Sequence, residues 1–177
     1  MNDISPITPK TASPLQSLPH TRSCFVCGES NPVGLKLDLQ SNGTKVETTV
    51  CFRPEHSGFS GVVHGGLITT VLDEAMAWTI GVRTRSFAFA AELNIRFLRP
   101  VAPGQHLTLR AKLVENRRGR LFLTHAILST ADGTIAAEGT GKFLPIPAAR
   151  YPSLLADFIS DPSPWIGPLT SEGSNPS

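Results

Sequence analysis

Cysteine is scarce in this 177-residue chain: three residues, at positions 24, 27 and 51. An odd, small number excludes a disulfide-stapled scaffold. Aromatic residues make up 7% of the chain and include a single tyrosine. With so few, no interleaved stacking platform for single-stranded nucleic acid can be drawn. Net charge is only +2, too weak a field to argue for a nucleic-acid partner. No apolar run reaches the length of a membrane span. The opening MNDISPITPKTASP lacks the basic and apolar regions of a secretory signal. These absences lead us to expect a soluble, cytoplasmic protein with reduced thiols and neither membrane nor nucleic-acid partner. What is present, 40% hydrophobic against 17% charged residues, suffices for one packed core.

Proline marks the edges. Four of the 15 prolines fall in residues 1–20 and seven in 145–177. Proline at that density blocks helix and ladder hydrogen bonds. We therefore expect a disordered N-terminal tail (1–20), one domain (21–146) and a Pro-rich, partly disordered C-terminal extension (147–177). In that extension Tyr151, Leu154, Leu155, Phe158 and Ile159 have the spacing of a short amphipathic turn.

Residues 65–82, GGLITTVLDEAMAWTIGV, are the one long helical candidate. Leu67, Ile68, Val71, Leu72, Ala75, Met76 and Ile80 cover well over half the circumference, which marks a buried helix. Thr69, Thr70, Asp73 and Glu74 form a narrow polar stripe, and carboxylates on such a helix need a reason. The remainder alternates with period two. Strands are expected at 35–39, 46–52, 93–97, 107–113, 121–129 and 134–144, with hairpin turns at Asn116–Gly119 and Asp132-Gly133. The order predicts an α+β fold, a curved antiparallel sheet wrapped around one central helix.

That order, with His64-Gly65-Gly66 at the helix start and Asp73 nine residues after His64, resembles the hotdog-fold acyl-CoA thioesterases. The likeness is to the phenylacetate-pathway (PaaI-like, 4-hydroxybenzoyl-CoA thioesterase-related) branch. It is carried by CFVCGESNPVGL (24–35), HSGFSGVVHGGLITTVLDEAMAW (56–78) and AELNIRFLRPVAPGQ (91–105). The resemblance implies hydrolysis of acyl-CoA or acyl-carrier-protein thioesters by a homodimer or a dimer of dimers. No cofactor is implied beyond coenzyme A as part of the substrate.

Such a hydrolase must stabilise an oxyanion and supply a carboxylate. A helix N-terminus offers unpaired N–H groups at the positive end of its dipole. Gly65 and Gly66 sit there, and the resemblance implies that the Gly65 N–H is the oxyanion donor. Asp73 is the candidate carboxylate, as general base or as nucleophile. Gly65 and Asp73 are about 12 Å apart along one helix at 1.5 Å per residue. If both act on one carbonyl, Asp73 must come from a second subunit. Glu74, about 100° around the helix, is expected to hold structure, for example by pairing with an arginine at a dimer seam. His64 is expected to fix the loop, and His56 either to support it or to touch substrate. Many relatives carry Asn where Gly58 stands, and some a hydroxyl where Ala88, Ala90 and Ala91 stand.

Residues 21–144 hold 14 Lys+Arg against 10 Asp+Glu. Arg99, Arg96, Arg117, Arg118 and Arg120 are candidate contacts for coenzyme A phosphates, since arginine binds phosphate bidentately. Phe59, Phe87, Phe89, Met76 and Trp78 are candidates either for an acyl pocket or for core. Cys24-Phe25-Val26-Cys27 lacks a matching second ligand pair in the sequence, so it reads as buried thiols in a tight turn, with no metal expected. The competing functional reading is a non-catalytic protein that binds an acyl or aryl ligand on the same scaffold.

Overall fold

The computed structural model describes residues 14–167. Nine strands and two helices follow in chain order. They are β1 (Gln16–Ser17), β2 (Gln40–Ser41), β3 (Val46–Cys51), β4 (Ser57–Phe59), β5 (Val62–Val63), α1 (Gly65–Thr84), β6 (Ala88–Phe97), β7 (His106–Asn116), β8 (Phe122–Thr130), β9 (Ile135–Pro145) and α2 (Tyr151–Leu155). Seven strands make one antiparallel sheet in the order β1-β2-β3-β7-β8-β9-β6, and β4 and β5 form a small hairpin leading into α1.

The long strands form where period-two alternation is cleanest. Along β8, Phe122, Thr124, Ala126 and Leu128 turn inward while Leu123, His125 and Ile127 between them are half-exposed, as a sheet covered on one face requires. The β7–β8 turn closes through Arg118 and Gly119, both at positive φ, with Gly119 N–H donating to Asn116 Oδ1 at 2.7 Å. Helix α1 fills the concavity. Val71, Leu72, Ala75, Met76 and Ile80 are fully buried in one cluster with Leu107, Leu109, Leu128 and Phe143. Each large side chain here contributes about 1.5–3 kcal/mol by leaving water.

Three departures from expectation have local causes. Residues 35–39 bury Leu37 and Leu39 in alternation but form no ladder, because Lys36 adopts φ 58°. Their N–H groups go instead to the preceding loop, Leu35 to Phe25 O and Leu37 to Val26 O. Strand β6 begins five residues before Leu93, in the alanine run that carries no alternation. Residues 14–20, assigned above to the tail, add β1 and bury Leu18; residues 1–13 lie outside the described part. On the far side, Tyr151 packs edge-on against Phe87 at 4.9 Å and Phe158 against Trp78 at 6.1 Å. The extension thus docks through residue 167, and residues 168–177 are outside the described part. Sheet edge β6 is hydrogen-bonded only to β9, and Phe89 and Phe97 upon it are more than half exposed.

Candidate active site

A relay of short contacts fixes the start of α1. His56 closes a single 3-10 turn, and its Nδ1 accepts the Arg53 N–H at 3.1 Å. Burial, with the Arg53 charge, holds its pKa below the usual imidazole range, so the ring is neutral at pH 7 with its proton on Nε2. The His56 carbonyl accepts the His64 N–H at 2.9 Å. His64 caps the helix, its Nδ1 accepting the Gly66 N–H at 2.9 Å. Gly66 is therefore spoken for. The Gly65 N–H has no acceptor among the described residues and is the open donor at the positive helix end. Gly58 packs on the same histidine: a Cβ there would lie 3.0 Å from His64 Cδ2. A side chain at Gly58 would press on His64, which would have to yield by a few tenths of an ångström.

A groove of about 380 Å³ opens over this donor, with Gly58, Phe59, His64, Phe97 and Arg99 among its walls. The Phe97 ring stands 3.3 Å from where a Gly65 Cβ would be, so any side chain at Gly65 would meet the ring. Phe59, 84% exposed, and Phe97 are apolar surfaces waiting for a cover.

Asp73 sits two turns further along α1. Its Oδ1 is buried and has no hydrogen-bond partner among the described residues. Burial raises its pKa above the usual carboxylate range. The hydroxyls nearest along the helix are committed elsewhere, Thr69 to Gly65 O at 3.1 Å and Thr70 to Gly66 O at 2.8 Å. An orphaned buried carboxylate oxygen is costly and rarely kept without use.

With this geometry in place the comparisons are specific. Residues 60–136 match the family model described as the Thioesterase superfamily. The matched stretch is 77 residues, less than half of the chain. It spans Gly65, Asp73 and Arg99 together. The chain is 29% identical over 122 residues to the acyl-coenzyme A thioesterase THEM4 of Bos taurus, covering 68% of this chain and 50% of that protein. It spans about half the length of that relative. Among solved structures, the thioesterase superfamily protein RHA08564 superposes with a TM-score of 0.61 at 31% identity, covering 70% of this chain and 60% of that one. The PaaI protein of E. coli shares the fold, with a TM-score of 0.57 at 22% identity over 63% of this chain and 80% of that one.

Around this matched segment the other candidates separate. Arg99 lines the groove. Arg96 donates to Glu138 at 2.6 Å across the sheet, and Arg117 pairs with Glu115 at 3.0 Å. Arg117, Arg118 and Arg120 stand at the β7–β8 tip. Register places that tip near Ala90, since Phe122 pairs with Phe143 and Phe143 with Ala90. Phe97 is seven residues on, about 23 Å at 3.3 Å per residue. Arg99 and the tip therefore cannot share one site within a single chain. Met76 is core, Trp78 and Phe87 border a separate cavity, and Phe89 lies on the exposed edge.

Glu74 faces the cysteine loop of its own chain. Among the described residues it meets no arginine; its Oε1 lies 3.4 Å from Cys27 Sγ, 3.7 Å from Cys24 Sγ and 3.2 Å from Trp78 Nε1, which donates to it. The residue keeps some exposure overall, but its carboxyl group is enclosed, and burial pushes its pKa to about 8. Hydrogen bonds from the Cys27 thiol and from the Cys27 and Val26 backbone hold the Cys24 thiol near 5. The bond to Cys24 and burial push Cys27 up. Sequence inspection missed this cluster. Its available signals were Trp78 four residues after Glu74, on one helix face, and the unassigned CxxC.

Proposed function

We propose that the protein hydrolyses acyl thioesters of coenzyme A or of a phosphopantetheine carrier, in a homodimer whose sites lie between subunits. One observation carries the reading: the buried Asp73 Oδ1, without a partner among the described residues, lies on the same helix whose first N–H has no acceptor among them. The substrate carbonyl oxygen accepts the Gly65 N–H, at the positive end of α1. The partner's Asp73 either takes a proton from water as that water attacks the carbonyl carbon, or attacks it directly. The tetrahedral intermediate collapses by breaking the C–S bond; in the first route that Asp73 returns its proton to the departing thiolate, and in the second the thiolate takes a proton from solvent and water then hydrolyses the acyl–Asp73 anhydride. Low dielectric around both groups strengthens them against developing charge.

The dimer rests on β6. A ten-residue edge strand with exposed Phe89 and Phe97 is a surface that proteins cover. Antiparallel pairing of two β6 edges about a twofold axis sets the Ala88 end of one copy beside the Phe97 end of the other. This supplies a cover for the groove and directs the partner's β7–β8 arginines toward it. Arg99, at the groove mouth, suits a coenzyme A phosphate.

The test is thiol release from short, medium, long and aryl acyl-CoAs by wild type, Asp73→Ala and Asp73→Asn, with size measured by light scattering. The expected result is hydrolysis of at least one substrate, lost by about a hundredfold or more in both variants, which remain dimers or tetramers. An inactive wild type that still binds an acyl-CoA moves the function to ligand binding.

A further inference from the structure

A second built cluster lies outside the acyl groove; no residue lines both. Cys24, Cys27 and Glu74 bring two sulfurs and a carboxylate oxygen within 4.8 Å of one another. The loop that holds them is shaped around sulfur. Val26 N–H donates to Cys24 Sγ at 3.2 Å, and Gly28 N–H donates to Cys24 O at 2.9 Å. Gly28 cannot be replaced without moving that turn, because a Cβ would lie 2.2 Å from Cys24 O. Glu74 has no cationic partner among the described residues; its neighbours are the two thiols and an indole N–H.

The two sulfur–oxygen separations are those of a tetrahedron's edges. With zinc bonds of about 2.3 Å to sulfur and about 2.0 Å to oxygen, sulfur–oxygen edges come to about 3.5 Å. The Cys27–Glu74 and Cys24–Glu74 separations are 3.4 and 3.7 Å. Once deprotonated as ligands, two thiolates and a carboxylate would carry three negative charges into an enclosed site, of which a divalent cation offsets two. Sulfur donors select against calcium and magnesium and for a borderline-soft ion.

We propose that Cys24, Cys27 and Glu74 bind a zinc-class divalent cation through three protein ligands, with the fourth position open to the adjoining cavity. That cavity, about 160 Å³, is walled by Ala77, Ser86, Phe87 and Phe158 among others. It has room for water or a small monodentate ligand. The ion ties the loop before β2 to the central helix one residue from Asp73, while remaining separate from the acyl groove.

The experiment uses the full chain, purified reduced and without a polyhistidine tag. Bound zinc is measured by mass spectrometry after competition with a chromogenic chelator, and the apo protein is then titrated with cobalt(II). Expected are about one ion per chain and a sulfur-to-cobalt charge-transfer band. Cys24→Ser, Cys27→Ser and Glu74→Gln each weaken binding by at least about tenfold, whereas exposed Cys51→Ser leaves it unchanged. Circular dichroism confirms folding, and Glu74→Gln, close in shape to the native residue, tests the site if a cysteine variant unfolds. A reduced wild type that takes up no cobalt overturns the proposal. So does wild-type affinity in Glu74→Gln, or a spectrum without thiolate charge transfer.

Discussion

Asp73 and Glu74 are neighbours in one turn of one buried helix, and their surroundings are opposite. Asp73 keeps a buried oxygen with no partner among the described residues. Glu74 is met by two thiols and an indole N–H. Burial raises the pKa of both, so desolvation alone does not tell them apart. What separates them is whether the chain itself completes the shell. A carboxylate left incomplete is one held for something that arrives, in the proposed function a substrate and a second subunit. A carboxylate already surrounded serves the fold or an ion.

The sharpest way to break this contrast is to remove each charge and read both activity and stability. Asp73→Asn is expected to abolish turnover by about a hundredfold or more while leaving the melting temperature unchanged or higher, since the charge it removes is unpaired. Loss of stability with retained turnover would reverse the assignment. Glu74→Ala is expected to do the opposite. It strips Trp78 Nε1 of its acceptor and opens a void, for an expected cost of about 1–3 kcal/mol in urea unfolding. Glu74→Gln, which keeps an acceptor for the indole, costs less.

The next effect is on binding. Arg99→Ala is expected to raise KM by about tenfold, the worth of one charge-assisted hydrogen bond, with kcat little changed. Arg96→Ala, whose guanidinium is occupied by Glu138, serves as the control with unchanged KM.

The smallest effect extends the contrast to a third carboxylate. Glu47, on β3, pairs with Lys45 at 2.8 Å and Arg110 at 2.7 Å. Partial burial works against its ionisation, but the two cations outweigh it and lower its pKa from the ordinary 4.5. A lowered folded-state value contributes stability above the unfolded-state pKa. That contribution is lost as pH falls through the lower folded-state value. Glu47→Gln is therefore expected to cost about 0.5–1 kcal/mol at neutral pH, with the difference shrinking in acid denaturation series below about pH 4.5.

The helix and the meander were legible because their periodicities are intact, and Gly65 and Asp73 because a glycine pair and an acid at fixed offset lie on one element. Spacing alone treats Gly65 and Gly66 alike, and it was the resemblance that singled out the Gly65 N–H; in the structure the His64 side chain takes the Gly66 N–H. The strand expected at 35–39 failed on a single residue, Lys36, whose left-handed backbone conformation follows from loop docking rather than local preference. The cysteine–glutamate cluster was hidden for a related reason. Cys27 and Glu74 are 47 residues apart, and no periodicity reports where an irregular loop lands on a helix. The arginines misled in the other direction: composition gathers them, while register places Arg99 and the β7–β8 tip at opposite ends of the sheet.

The wall over the cysteine loop is made by both flanks of the chain. Arg22 N–H reaches Asp157 O, Ser23 Oγ reaches the Asp157 carboxylate, and Thr21 bridges Phe158. Ser23 and Asp157 are separated by 134 residues. On a growing polypeptide the cysteines emerge long before their cover exists, and contacts of such separation close late. The thiols therefore pass through synthesis uncovered, open to any ion or oxidant they meet, until the last strand and the segment beyond it seal them in.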